Sequence, residues 1–296
     1  FNAFTGIDAA WRTDAWSITA FWYHPVRRQP ADRSGISTHA RHFDRSHKGN
    51  RFFGLHLAKA AGRRHTEWVA LHLRDDDDAF PSRNRSLTTF GVRVRRAPQP
   101  HSWDFDIDAA LLSGSLRSGT ALAARRLDHF ATLIHAEAGY HFGGSGQTRL
   151  VAQLNIASGD RDPADGDSER YDGNFGVRVF DYGPTGIYGA FSQLNTAFAR
   201  LRLFTRPTAA TRLHVALGRY RLTSDRDRHA TSGRFDPTGA AGTDLGLQLE
   251  WRAQHRLSPT LAFAIGGAFL RHGDLIDSAA TDGSTRYVYA ETTLSF

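Results

Sequence analysis

The sequence predicts an all-β protein, a transmembrane antiparallel up-and-down β-barrel of the outer-membrane type. About 13–14 strands are expected in a single domain over residues 1–296. Three observations carry this expectation. Along almost the whole chain, apolar and polar side chains alternate in short segments, the period of a strand with two unlike faces. Tight turns and long polar loops alternate between the segments, as they do on the two sides of an outer membrane. Charged residues recur at mid-strand on the polar face of about thirteen consecutive up-and-down strands, whose apolar faces fit a cylinder better than the single core of a seven- to nine-stranded sandwich.

The elements follow in order. Phe4–Thr13 alternates loosely before a turn at Asp14, and Trp16, Ile18, Ala20 and Trp22 then oppose Ser17, Thr19, Phe21 and Tyr23. Residues 25–48, with Pro25 and Pro30, read as a long loop. Phe53, Leu55 and Leu57 oppose Gly54, His56 and Ala58. After a turn at 60–63, Val69, Leu71 and Leu73 oppose Ala70, His72 and Arg74. Asp75–Asp78 opens a second loop. Phe90, Val92 and Val94 oppose Gly91, Arg93 and Arg95, and Pro98–Pro100 turns the chain. In the clearest strand, Trp103, Phe105, Ile107, Ala109 and Leu111 face away from Asp104, Asp106 and Asp108. Three alternate aspartates cannot line an apolar core. Ile134, Ala136, Ala138, Tyr140 and Phe142 oppose His135, Glu137, Gly139 and His141, with a glycine-rich turn at 143–146. Leu150, Ala152, Leu154 and Ile156 oppose Arg149, Val151, Gln153 and Asn155. A long Asp/Gly-rich loop covers 158–190. Ala197, Ala199, Leu201 and Leu203 then oppose Phe198, Arg200 and Arg202, and Leu213, Val215 and Leu217 oppose Arg212 and His214. Beyond a polar loop at 224–239, Leu245, Leu247, Leu249 and Trp251 oppose Gln248, Glu250 and Arg252. Leu261, Phe263, Ile265 and Phe269 form the next apolar face. The last strand sets Val288, Ala290, Thr292, Leu294 and Phe296 against Tyr287, Tyr289 and Glu291.

Composition narrows the class. Hydrophobic residues make up 40% and mean hydropathy is −0.44, with no run near the ~20 apolar residues of a membrane helix. Alternation halves the apolar signal of a barrel strand, so neither value speaks against one. Cysteine is absent, which excludes disulfides and thiolate chemistry. The net charge is +7, and Lys48 and Lys59 are the only lysines among 37 Lys and Arg residues. Arginines that alternate with apolar residues, instead of clustering on one face or tail, do not describe a nucleic-acid binder. The chain opens at Phe1 with no signal peptide, so a mature form, a fragment or an engineered product is expected.

In a barrel the polar faces line the lumen. That places Arg74, Arg93, Arg95, Arg149, Arg200, Arg202, Arg212 and Arg252 inside, with Asp104, Asp106, Asp108, Glu137 and Glu250 beside them. Two roles are open to these charges: internal ion pairing, and a track of guanidinium groups that holds carboxylated solutes loosely. Arg93, Arg95, Arg200 and Arg202 are expected to touch solute. Asp160, Asp162, Asp165 and Asp167 are spaced like oxygen ligands for Ca²⁺, without the glycine and terminal glutamate of an EF-hand loop. Asp75–Asp78 offers a second acidic run. No other cofactor is expected. His135 and His141 flank Glu137 on one face, the kind of pair a barrel hydrolase would use, but no Gly-x-Ser-x-Gly motif accompanies them. An enzyme of that type and a soluble carbohydrate-binding β-sandwich are the alternatives.

Ser102-Trp-Asp-Phe-Asp-Ile-Asp108 and Glu137-Ala-Gly-Tyr-His-Phe142 resemble segments of the bacterial alginate export family. So do Ser158-Gly-Asp-Arg-Asp-Pro163, Asn195 after its aromatic loop, and His24-Pro-Val26 followed by Phe52-Phe-Gly54. The resemblance covers most of the chain. It implies a Gram-negative outer-membrane barrel, eighteen-stranded in the type case, which exports the polyuronate alginate. This chain would then lack about the first five strands or be a smaller relative. The implied partners are membrane lipid and lipopolysaccharide, an anionic saccharide, a periplasmic secretion partner, and the barrel assembly machinery through Phe296.

Overall fold

The computed structural model describes residues 3–27, 29–30, 33–77, 81–174, 182–236, 238–277 and 283–296. The alternating segments form one antiparallel meander. Its strands are β1 (Phe4–Arg12), β2 (Trp16–Arg27), β4 (Asn50–Ala61), β5 (Arg64–Asp75), β6 (Ser86–Arg96), β7 (Ser102–Arg117), β8 (Arg126–Gly143), β9 (Thr148–Ala157), β11 (Thr196–Thr205), β12 (Thr211–Arg221), β13 (Asp244–Arg256), β14 (Leu261–His272) and β15 (Ser284–Leu294). Each pairs with the next in sequence order. Two-residue strands β3 (Arg45–Ser46) and β10 (Asp167–Ser168) pair with β2 and β8, the latter in parallel. Short helices α1 (Arg33–Ser37) and α2 (Asp274–Asp277) lie in long connections. No helix among the described residues is long and apolar enough to cross a membrane.

Connections alternate strictly between short ones, at 13–15, 62–63, 97–101, 144–147, 206–210 and 257–260, and long ones. The long connection at 118–125 was not expected. β7 continues through Arg117, and Leu112 and Leu116, on the face of Asp104, Asp106 and Asp108, are both buried.

The two faces separate as the period requires. Ile107, Ile134, Leu201, Leu217, Leu249 and Ile265 are all exposed, whereas their neighbours one residue along are buried or half-buried. Each such side chain forgoes about 1.5–3 kcal/mol if it stands in water. Repeated on every strand, this fits a sheet whose apolar face meets lipid.

By internal packing the chain forms two compact units. The first comprises Phe1–Val92, Ala110–Phe130 and Gly166–Ser168. Near its short turns, Trp16 stacks on Trp68 at 6.3 Å with Lys59 over the Trp16 ring, an arrangement suited to a membrane interface. Near its long loops, Asp75 takes the Arg85 guanidinium at 2.8 Å and Arg117 reaches both Asp77 and the Ser82 carbonyl. Asp78 lies outside the described residues.

The first unit also corrects the facing of β5. His56 hydrogen-bonds Glu67 at 3.2 Å, and the register sets His56 opposite Val69 and Phe53 opposite His72. Val69, Leu71 and Leu73 therefore share the His56 face. His72 and Arg74 stand on the face of Phe53 and Trp68, where Arg74 pairs with Asp76 at 3.1 Å. The second unit comprises Arg93–Ala109, Ala131–Asp165 and Glu169–Phe296, and it holds the candidate site.

Candidate functional site

Directly opposed residues of antiparallel strands share a face, so the registers of β8, β9 and β11–β15 stack the polar face into rows. One row runs His141, Arg149, Phe204, His214, Arg252, Gly266, Tyr289. The next, two residues along each strand, runs Gly139, Val151, Arg202, Ala216, Glu250, Ala268, Tyr287. The third runs Glu137, Gln153, Arg200, Gly218, Gln248, Leu270. In the second row small residues alternate with long ones, which lets the long side chains lie along the wall. Gly139 shows the need. A Cβ there would sit 2.7 Å from Asp104 Oδ1 and 2.9 Å from Arg149 Nε.

Most of the predicted charges are brought together as pairs. Arg149 Nε donates to Asp104 at 3.0 Å, with a second bond from the same guanidinium. Arg93 makes a planar fork with Asp106, at 2.8 and 2.5 Å. Arg202 donates to Glu137 at 3.0 Å, and Arg149 and His135 stand 4.0 and 3.7 Å from the same carboxylate. Arg252 donates to Glu291 at 3.1 Å. Arg200 donates to Gln153 and stands 3.8 Å from Glu250. With 4% exposure, Arg200 belongs to the wall and not to the solute path. Asp108 is half-buried and Arg95 is exposed at the turn end of β6.

Arg212 differs. It is exposed on the face of His214, and among the described residues neither it nor Arg206 pairs with a carboxylate. Both line a cavity of about 490 Å³ with Arg202, Arg252, Phe204, His214, Gln254, Tyr289 and Pro184. The cavity lies toward the short turns. Glu250 is the one carboxylate in its lining, so cations predominate.

Residues 182–195 do not behave as a solvated loop. They form a strap folded onto the polar face. Tyr182 accepts a hydrogen bond from Asn155 at 2.9 Å, and Tyr188 donates to Gln248 at 2.6 Å. Thr185 bonds the Tyr287 hydroxyl at 2.9 Å, and Phe191 stacks flat on Tyr220 at 3.8 Å. Tyr182, Phe191, Phe198, Tyr220, Leu222, Leu245, Leu270 and Leu275 form one buried apolar cluster beneath it. The strap thus crosses from β9 to β15. Gln153, Asn155, Gln248, Tyr287 and Tyr289 were readable as polar-face residues by their parity, but their uncharged side chains gave no chemical signal.

Asn195 anchors the strap's end. Fully buried and in a left-handed conformation (φ 52), it bonds the backbone of 223–227 four times, at 2.7–3.1 Å. Asp227 takes the Asp160 amide at 3.0 Å and a fork from Arg170. The acidic loop serves this join. Asp162 turns back to the Ala164 amide at 3.1 Å, and burial raises the pKa of the Asp160 carboxyl. Among the described residues no three His, Asp or Glu side chains converge to hold a metal ion, so Asp160, Asp162, Asp165 and Asp167 are not gathered into a Ca²⁺ shell.

The chain matches the family described as alginate export over residues 1–290. No curated protein gives a match. Among solved structures, the outer membrane protein OpdK from Pseudomonas aeruginosa is similar, with TM-score 0.53 and 14% identity over 98% of this chain and 71% of that one. The β domain of the Bordetella autotransporter BrkA matches at TM-score 0.26 and 13% identity, covering 100% and 97%, too distant to inform the fold. With the all-β meander, the OpdK likeness gives the outer-membrane barrel as the fold.

Proposed function

Because the chain belongs to the alginate export family and has the outer-membrane barrel fold, we propose that it is a channel of the Gram-negative outer membrane that passes anionic solutes, including acidic oligosaccharides. The apolar face meets lipid and lipopolysaccharide, and Phe296 is the residue the barrel assembly machinery would read. One observation supports the preference for anions. Among the described residues Arg206 and Arg212 pair with no carboxylate, beside Arg202 and Arg252 in a single cavity, while the other polar-face arginines are largely balanced by Asp104, Asp106, Glu137 and Glu291. Pairing keeps the wall rigid, and the unpaired cations supply the field that favours anions. Guanidiniums partly held by carboxylates also bind a passing anion weakly, as conduction requires.

This shifts the expected contact set. Arg200 is structural, Arg93 is paired, and Arg206 joins Arg202, Arg212 and Arg252 as the groups that meet solute. A hydrolase would need Glu137 as a base for His135. The carboxylate is shared between Arg202 at 3.0 Å and His135 at 3.7 Å, and a base already paired with a guanidinium favours the channel. The test is the R206Q/R212Q variant in a planar bilayer under a salt gradient. Its reversal potential should move toward cation preference at unchanged yield of folded protein. An unchanged potential would remove these arginines from the selectivity.

A further inference from the structure

We propose that the outward, apolar face of β12–β15 carries, at its long-loop end, a site for the phosphate groups of a phosphorylated lipid in the outer leaflet. The site needs the outer-membrane barrel fold and not the channel reading. General contact between an apolar wall and acyl chains requires no charge. Four arginines nevertheless stand on that wall, all at one end of it.

The registers place them. Leu201, Leu217, Leu249 and Phe269 lie side by side on the apolar face, and Arg286 completes their row on β15. One step toward the long loops, the row runs Ala199, Arg219, Leu247, Arg271. Arg221 stands one step further, opposite Asp244. Toward the short turns the same face carries Leu213, Ala253, Ile265 and Ala290, then His255, Phe263 and Thr292. No arginine is among them. The cations are therefore confined to the loop end, which in an outer-membrane barrel is the outer leaflet. Arg219 and Arg271 are two strands apart, about 10 Å, and Arg286 is the diagonal neighbour of Arg271. One phosphate-bearing headgroup can touch several of them, and a guanidinium fork matches phosphate oxygens.

The patch carries a surplus of positive charge. All four arginines are exposed. Arg219 forks onto Asp244 at 3.0 and 3.2 Å, and the Asp274 charge acts on it from further away. Among the described residues Arg221, Arg271 and Arg286 pair with no carboxylate, and Arg286 lies over the Phe269 ring at 5.9 Å. Beside the patch the wall is hollowed. Ala197 stands between Ile156 and Arg221, and Ala199 between Leu154 and Arg219. These short side chains leave a trough of about 450 Å³, apolar on its β9 side and cationic on its β12 side. An acyl chain hanging from a phosphate has that same division of polarity.

The competing account is that these arginines lay their stems along the wall and put their charge into water, with no ligand. Titration of the refolded protein in detergent, read by native mass spectrometry, separates the two. The probes are bis-phosphorylated lipid A, the same lipid A stripped of its phosphates, and inorganic phosphate. Lipid A should bind well above both comparators. R221Q/R271Q/R286Q should fold and bind lipid A at least about tenfold more weakly. Native affinity in that variant would leave the arginines as solvated side chains. Equal binding of the stripped lipid would mean acyl contact alone, and equal binding of inorganic phosphate a site for the free ion. Each of these results overturns the site. If the triple variant does not fold, R221Q and R271Q decide singly. Each should weaken lipid A binding about fivefold, and native affinity in both overturns the proposal. Absence of bilayer conductance would refute the channel reading and leave the lipid site to be judged on binding alone.

Discussion

Asp104 is the most exacting residue of the wall. Its side chain is 1% exposed and its charge is met by Arg149. Removing one partner of a buried pair strands the other, at about 3–5 kcal/mol, while removing both costs far less. R149Q should therefore lower the denaturant midpoint of the refolded protein markedly, and D104N/R149Q should recover most of it; equal losses in both would mean the pair carries no such burden. Asn195→Ala should free several backbone groups of 223–227, each worth about 1–3 kcal/mol when buried unsatisfied. Protease sensitivity should then appear within 222–243 without loss of β-structure. At this scale the sequence was informative wherever one face was plainly apolar, as in β7, β11 and β13. It misled in β5, where Trp68, Ala70 and His72 are hardly less apolar than Val69, Leu71 and Leu73. Only the cross-strand partner of His56 settles which face is which. Arg206 was overlooked because it sits in a turn, where periodicity has no meaning.

Among the elements, the strap at 182–195 has the largest consequence. A chain segment held against the polar face by Tyr182, Tyr188 and Phe191 narrows whatever path runs along it. Replacing those three by alanine should raise single-channel conductance severalfold and increase current noise; unaltered conductance would mean that the path avoids the strap. In the sequence this stretch passed for an ordinary polar loop. Its signal was the density of aromatics, which a solvated loop does not need. The strap's neighbour, 222–243, is expected to respond to pH through His229. His229 is 2% exposed and donates or accepts at Ser232 over 2.8 Å. Burial, helped by the nearby Arg234 charge, pushes its pKa down from 6.5 to about 4. The folded loop thus resists a proton that the unfolded chain takes up. Its stability is complete above about pH 6.5 and declines as pH falls toward 4, by at most about 3 kcal/mol. Hydrogen exchange in 222–243 should speed up across that window in the native protein and not in H229Q. A flat profile in both would exclude this histidine.

For the whole molecule, the barrel class was legible because the period of two recurs in nearly every strand and because turns and loops alternate. The sites were less legible, since contacts such as Arg170–Asp227 and Tyr188–Gln248 join residues 57 and 60 apart, and periodicity does not encode which loop folds back on which strand. The surplus of guanidinium over carboxylate in the cavity of β11–β15 is the feature that supports the proposed preference for anions. It is tested most directly by the reversal potential of the refolded native protein in a planar bilayer under a potassium chloride gradient. The account predicts a steady pore whose reversal potential has the sign of chloride preference and shifts toward zero at high salt, as screening of partly exposed arginines demands. A pore that prefers potassium would contradict it.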